Sequence, residues 1–302
     1  MKWPLWALTA TLAVAEQKLV IPAGLDVYLP VPESNPLTVE KAALGKKLFF
    51  DARLSRDHSI SCASCHDPKL AFTDARPVGL GVAGRHSTRR VPRLINRGYG
   101  KSFFWDGRAA TLEEQVIEPI RNPKEMDLTL DEVPTRTGLT VEVVQQALAT
   151  YVRTILSGDA PYDRYLAGER DALSEQQRMG LRLFRGKAGC AACHLGPNLT
   201  DERFHNTGIG WPNDRGRYAV TRRDADAGAF KTPSLREVAR TPPYMHDGSL
   251  KTLEEVIDLY DKGGKPNPAL DPEMHELRLS VEEKAALLAF LRGLNGTVRD
   301  GM

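Results

Sequence analysis

The cysteines of this chain all fall in one pattern used twice, Cys62-Ala63-Ser64-Cys65-His66 and Cys190-Ala191-Ala192-Cys193-His194. Two thiols at this spacing, followed at once by an imidazole, suit addition to the two vinyl groups of a haem, with the histidine set under the iron. A CxxC pair alone also suits zinc or a redox disulfide. Neither of those gives a reason for the repeated histidine, and no cysteine is left for a structural disulfide. The chain is therefore expected to carry two covalently attached haem c groups. Cys62, Cys65, Cys190 and Cys193 are the attachment points, and His66 and His194 the proximal iron ligands.

The surroundings of the two motifs repeat as well. Leu44–Phe50 leads into the first and Met179–Phe184 into the second, each with helical spacing. Thr38 and Ser174 are suited to cap those helices. Further on, Asp106-Gly107-Arg108-Ala109-Ala110-Thr111-Leu112-Glu113-Glu114 matches Asp247-Gly248-Ser249-Leu250-Lys251-Thr252-Leu253-Glu254-Glu255. The shared core reads as a tight turn and then a helix start, with threonine at the cap and acids in the first turn. Helical patterns run through Val141–Leu156, Ser174–Phe184, Thr252–Asp261 and Val281–Leu291, and alternating strand patterns are scarce. The expected fold is mainly α and loop-rich, with two cytochrome c-like haem domains related by internal duplication. The domains are placed at 16–163 and 164–302, with the boundary near Gly158–Gly168.

Residues 1–15 read as a secretory signal. Lys2 supplies the charge, Leu5–Val14 the apolar run, and Ala13-Val14-Ala15 the cleavage site. That run is shorter than the roughly 20 residues a spanning helix needs, so no membrane span is expected after cleavage. Export to the periplasm agrees with haem attachment, which takes place outside the bacterial cytoplasm. The net charge of +2 gives no bulk argument for nucleic acid or a membrane surface.

What each haem does depends on its other face. A ligand there makes an electron-transfer haem, and an open face makes a reactive one. The residue types that fit are His86, His205, Met245, His246, Tyr260, Met126, Met274 and His275. His205 and His275 lie in polar stretches and are expected to be solvated, and Met126 and Met274 to pack.

Taken together, Leu44–Phe50, Cys62–His66, Phe104–Glu125, Cys190–His194 and Thr232–Gly264 resemble the bacterial dihaem cytochrome c peroxidase/MauG family. The resemblance implies an N-terminal, high-spin haem that reacts with hydrogen peroxide and a C-terminal, low-spin haem that stores electrons. Trp105 matches the tryptophan between them. Gln115, Pro119 and Glu125 match the pocket over the first haem, with Glu125 as acid–base catalyst and Gln115 orienting peroxide. Tyr260 matches the sixth ligand of the second haem, as in MauG, with Met245 as its competitor. His246 is expected to line the second haem pocket through hydrogen bonding.

Two positions depart from the family pattern. The peroxidase branch closes its first haem with a loop histidine, and His86 is poorly placed for that role, so its ligation is at most conditional. The family also holds calcium between the domains. Thr241 and Pro243 match that site, but Arg90 stands where an asparagine is expected. The implied function is a periplasmic dihaem peroxidase that takes electrons from a small cytochrome c or cupredoxin. The alternative is a MauG-like enzyme that uses peroxide-derived high-valent iron to oxidise Trp or Tyr residues of a partner protein. A non-catalytic electron-transfer cytochrome would need both irons closed. The peroxidase branch tends to form homodimers, and the residues of this chain neither add to nor subtract from that.

Overall fold

A computed structural model describes residues 19–302; the signal sequence read from 1–15 lies outside the described residues. The first half contains α1 (Val39–Phe49), α2 (Leu112–Arg121), the short α3 (Val133–Thr137) and α4 (Val141–Arg153). The second contains α5 (Pro161–Leu166), α6 (Glu175–Arg185), the one-turn α7 (Tyr218–Thr221), α8 (Leu253–Asp261) and α9 (Val281–Arg292). Long loops connect them, so the fold is mainly helical and loop-rich. The strands are short: β1 (Leu156–Gly158) pairs with β4 (Thr297–Arg299), and β2 (Phe204–His205) with β3 (Phe230–Lys231), both antiparallel.

The helices begin where side-chain oxygens satisfy the first free amides. Thr38 accepts from the Lys41 N–H, Thr111 from Glu114, Ser174 from Gln177 and Thr252 from Glu255. The expected helix 141–156 is shorter than its pattern. It ends at Arg153, and Leu156–Gly158 turn instead into the ladder with β4. Apolar character alone did not separate a helix end from a buried strand.

Each half has its own apolar core, built around the same crossing. α1 meets α4 at Gly45, where an added Cβ would stand 1.9 Å from the Ala147 carbonyl oxygen. α6 meets α9 at Gly180, where it would stand 2.0 Å from that of Ala286. Beside these contacts the ring centroids of Phe49 and Tyr151 are 5.2 Å apart, and those of Phe184 and Phe290 5.1 Å. Each buried ring contributes roughly 1.5–3 kcal/mol of transfer free energy.

Polar contacts join the halves. Buried Arg236 of the second half donates to the Gly24 carbonyl of the first at 2.7 Å, and two bonds of 2.7 and 2.8 Å to Asp163 of α5 hold it in place. Arg97 pairs with Glu202 at 2.7 Å. Arg89 reaches both Asp106 and Asp214 at 2.7 Å. Among the described residues, no helix is long and apolar enough to cross a membrane.

Candidate active site

Both CxxCH motifs lie on single 3-10 turns, Cys62–Ser64 and Cys190–Ala192. The turn brings the histidine N–H back to the first cysteine's carbonyl, at 2.9 Å in each case. The imidazoles are then fixed from one side. His66 Nδ1 lies 3.0 Å from the Phe72 carbonyl, and His194 Nδ1 lies 3.1 Å from that of Leu199. A carbonyl only accepts, so Nδ1 carries the proton and Nε2 keeps its lone pair. Burial holds both rings down at about 4, hence neutral near pH 7.

One cavity of about 430 Å³ runs past both histidines. On the first side, Gln115 and Pro119 line it from successive turns of α2, Asn122 from the residue that caps its C-terminus, and Glu125 from the next loop. Pro119 has no N–H to donate, and its hydrocarbon ring offers no lone pair to ligate. Glu125 lies within electrostatic reach of Cys62 and Cys65. Burial pushes its carboxyl above the usual range. Arg108 and a 2.7 Å hydrogen bond from Asn122 Nδ2 oppose that shift, and Glu118 adds to it. His86 is exposed on its turn, outside the cavity lining.

On the second side, Leu253, Val256, Ile257 and Tyr260 line the cavity from α8. Tyr260 lies within electrostatic reach of Cys190 and Cys193. Met245 and half-buried Met274 line the same cavity, whereas Met126 packs in the first core at 3% exposure. His275 is exposed. His205 is not a solvated side chain. Its ring lies 2.6 Å from Asp271 Oδ2 and 2.9 Å from Asp201 Oδ2, tying the loop after the second motif to the segment that carries Met274.

Trp105 lines the cavity as well, and its Nε1 donates to the Arg90 carbonyl at 2.8 Å. Its ring meets His246 edge-on, with centroids 6.4 Å apart. His246 also lines the cavity; its ring stacks on Phe230 at 3.4 Å and 14°, and its buried Nε2 has no hydrogen-bond partner among the described residues.

The residues present fit two haems. The second motif offers both thiols and the first offers Cys65, each with an imidazole lone pair, to one cavity, and Cys62 packs against the first core. Arg93 on the cavity wall contacts the Thr241 hydroxyl at 2.6 Å and the Ser234 carbonyl. It forms no ion pair with a carboxylate among the described residues, which leaves a cation for a propionate. A calcium ion fits less well. The Arg90 guanidinium already occupies the carbonyls near Thr241, and it reaches Pro242 rather than Pro243.

Sequence reasoning missed Asn122, Arg93 and the clamp on His205. Asn122 had a usable signal, because it falls in the same α2 register as Gln115 and Pro119. The partners of Arg93 and His205 lie far off in sequence, and no local pattern marks them.

Comparison with known proteins agrees with this architecture. Residues 39–138 match the family model described as di-haem cytochrome c peroxidase. The chain is 44% identical over 288 residues to methylamine utilization protein MauG of Methylorubrum extorquens, covering 88% of this chain and 81% of that one. It is 31% identical over 300 residues to cytochrome c551 peroxidase of Nitrosomonas europaea, covering 92% and 86%. The crystal structure of a MauG-like protein associated with microbial copper homeostasis superposes with a TM-score of 0.84 at 31% identity, over 97% of this chain and 96% of that one. The chain belongs to the dihaem cytochrome c peroxidase/MauG family. It is accordingly an oxidoreductase that acts on hydrogen peroxide and carries two haems.

Proposed function

We propose that this protein is a MauG-like enzyme, exported to the periplasm, that uses peroxide to oxidise Trp or Tyr side chains of a partner protein. The observation that carries this reading is the phenol of Tyr260 in the cavity beside the second motif, while His86 lies outside the cavity near the first. Tyrosinate ligation favours ferric and higher oxidation states, whereas a thioether favours ferrous iron.

The bound haems, covalently held at the four cysteines, supply the redox chemistry; the chain's own groups supply binding and proton transfer. Gln115 orients peroxide by hydrogen bonding. Glu125, raised by burial, takes a proton from one peroxide oxygen and returns it to the other, which departs as water. Pro119 keeps the first side free of a protein ligand. Trp105 links the two sides, its indole oriented by the Arg90 carbonyl.

The second reading is a gated peroxidase fed by a small cytochrome c or cupredoxin. It is favoured by Met245 and Met274, two thioethers that also line the cavity. Stopped-flow mixing with peroxide, without any donor, separates the two. The MauG-like reading expects the resting diferric protein to react at once. Reaction that begins only after pre-reduction by one electron overturns it in favour of the gated peroxidase.

A further inference from the structure

Arg90 is 5% exposed and lies where the two halves meet. Its Nη1 donates to the Val91 carbonyl at 3.1 Å. Its Nη2 faces three more carbonyls: Thr241 at 3.0 Å, Asp74 at 3.3 Å and Pro242 at 3.5 Å. Two of these carbonyls come from each half. The Arg90 backbone is engaged too: its N–H donates to the His246 carbonyl at 2.7 Å, and its carbonyl accepts from Trp105. No carboxylate forms an ion pair with it among the described residues. Asp74 is the acid within electrostatic reach, and its buried Oδ2 has no hydrogen-bond partner.

Converging backbone carbonyls are a site for a hard cation. Calcium takes 6–8 oxygens at about 2.3–2.6 Å. The guanidinium fills that volume here with a permanent charge and planar donors. The two cations exclude each other.

We propose that Arg90 is the interdomain cation of this protein, built into the chain where its relatives' pattern calls for a metal. The guanidinium screens the carbonyl dipoles and holds the halves in register. Through its own carbonyl the same residue sets the orientation of Trp105, so communication between the haems does not depend on added metal. That last point rests on the reading of Trp105 as the link; the metal-binding claim does not.

The test uses the intact holoprotein, with calcium itself as the probe. Metal content is measured by mass spectrometry after dialysis against EGTA. The melting temperature and the EPR response of both ferric haems to one equivalent of peroxide are measured with and without calcium. The wild type is expected to hold no stoichiometric calcium and to show no change in either readout. Arg90→Asn empties the carbonyl ring. It is expected to take up calcium, to lose the joint haem response in EGTA and to recover it when calcium returns. A wild-type protein that retains calcium, and loses its joint response when stripped, overturns the proposal. So does an Arg90→Asn protein that calcium fails to rescue, or one that matches the wild type in EGTA. If the variant does not fold, the wild-type measurements alone decide. A Trp105→Phe protein with an intact joint response would sink the Trp105 reading and leave the calcium content to judge Arg90.

Discussion

Pro119 and Tyr260 stand at the same register of two similarly built helices, one counted from the cap Thr111 and the other from the cap Thr252. Both line the cavity. At this position the first half presents a ring that cannot ligate, and the second presents a phenol. One difference at equivalent positions thus gives the two sides of the cavity different linings, one without and one with an oxygen at hand.

That asymmetry predicts the effect of Tyr260→Phe. Loss of the phenol oxygen is expected to move the ferric EPR signal of the second haem from low toward high spin. Tyr260→Met restores a ligand of another kind and is expected to raise that haem's reduction potential. An unchanged spectrum in Tyr260→Phe would shift the ligand assignment to Met245.

Glu125→Gln is expected to slow peroxide cleavage by about 10²- to 10⁴-fold, the range for a lost acid–base group. The reactive form is the carboxylate, and burial raises its pKa. The wild-type rate should therefore fall as the pH drops through a value above the ordinary glutamate figure of about 4.3. Stability runs the other way. A carboxyl raised in the folded state costs stability when ionised, above its folded pKa, and that cost is absent below the unfolded pKa. Glu125→Gln should melt higher than the wild type at neutral pH, with the gap closing in acid. Stopped-flow rates and thermal melts across pH check both.

Gly45→Ala and Gly180→Ala each place a methyl within 2.0 Å of a helix carbonyl oxygen. Relief requires the helices to part, so each is expected to cost about 1–3 kcal/mol or more. Denaturant titration of the two variants measures it. A neutral result would show that these crossings are looser than described.

The two haem-binding turns were legible because CxxCH is a local pattern whose chemistry needs no tertiary information. The caps at Thr38 and Ser174 were legible for the same reason. The environment of His205 was not. Its polar neighbours suggested solvent, but Asp271 comes to it only through folding of a distant segment. The fate of Arg90 was half legible: the sequence showed a departure from the expected asparagine, and only the fold shows where the guanidinium goes.

The clamp on His205 carries its own pH signature. Its pKa rises to about 10, first through Cys193 and then, against burial, through Asp201 and Asp271. Haem attachment converts that thiol to a thioether, so the holoprotein value falls below this. A histidine raised on folding stabilises fully below its unfolded pKa of about 6.5, and that stability is lost as pH rises through the folded value. His205→Ala should therefore lower the melting temperature most at mildly acidic pH, with the deficit shrinking as the pH rises above the unfolded value of about 6.5. A deficit independent of pH would mean the ring acts by packing alone.

The central claim is that two unlike haems respond as one unit. Freeze-quench EPR of the resting diferric protein after one equivalent of peroxide tests it most directly. The high-spin and low-spin ferric signals are expected to fall together, without any added reductant. Loss of the high-spin signal alone, or no change until one haem has been reduced, would contradict it.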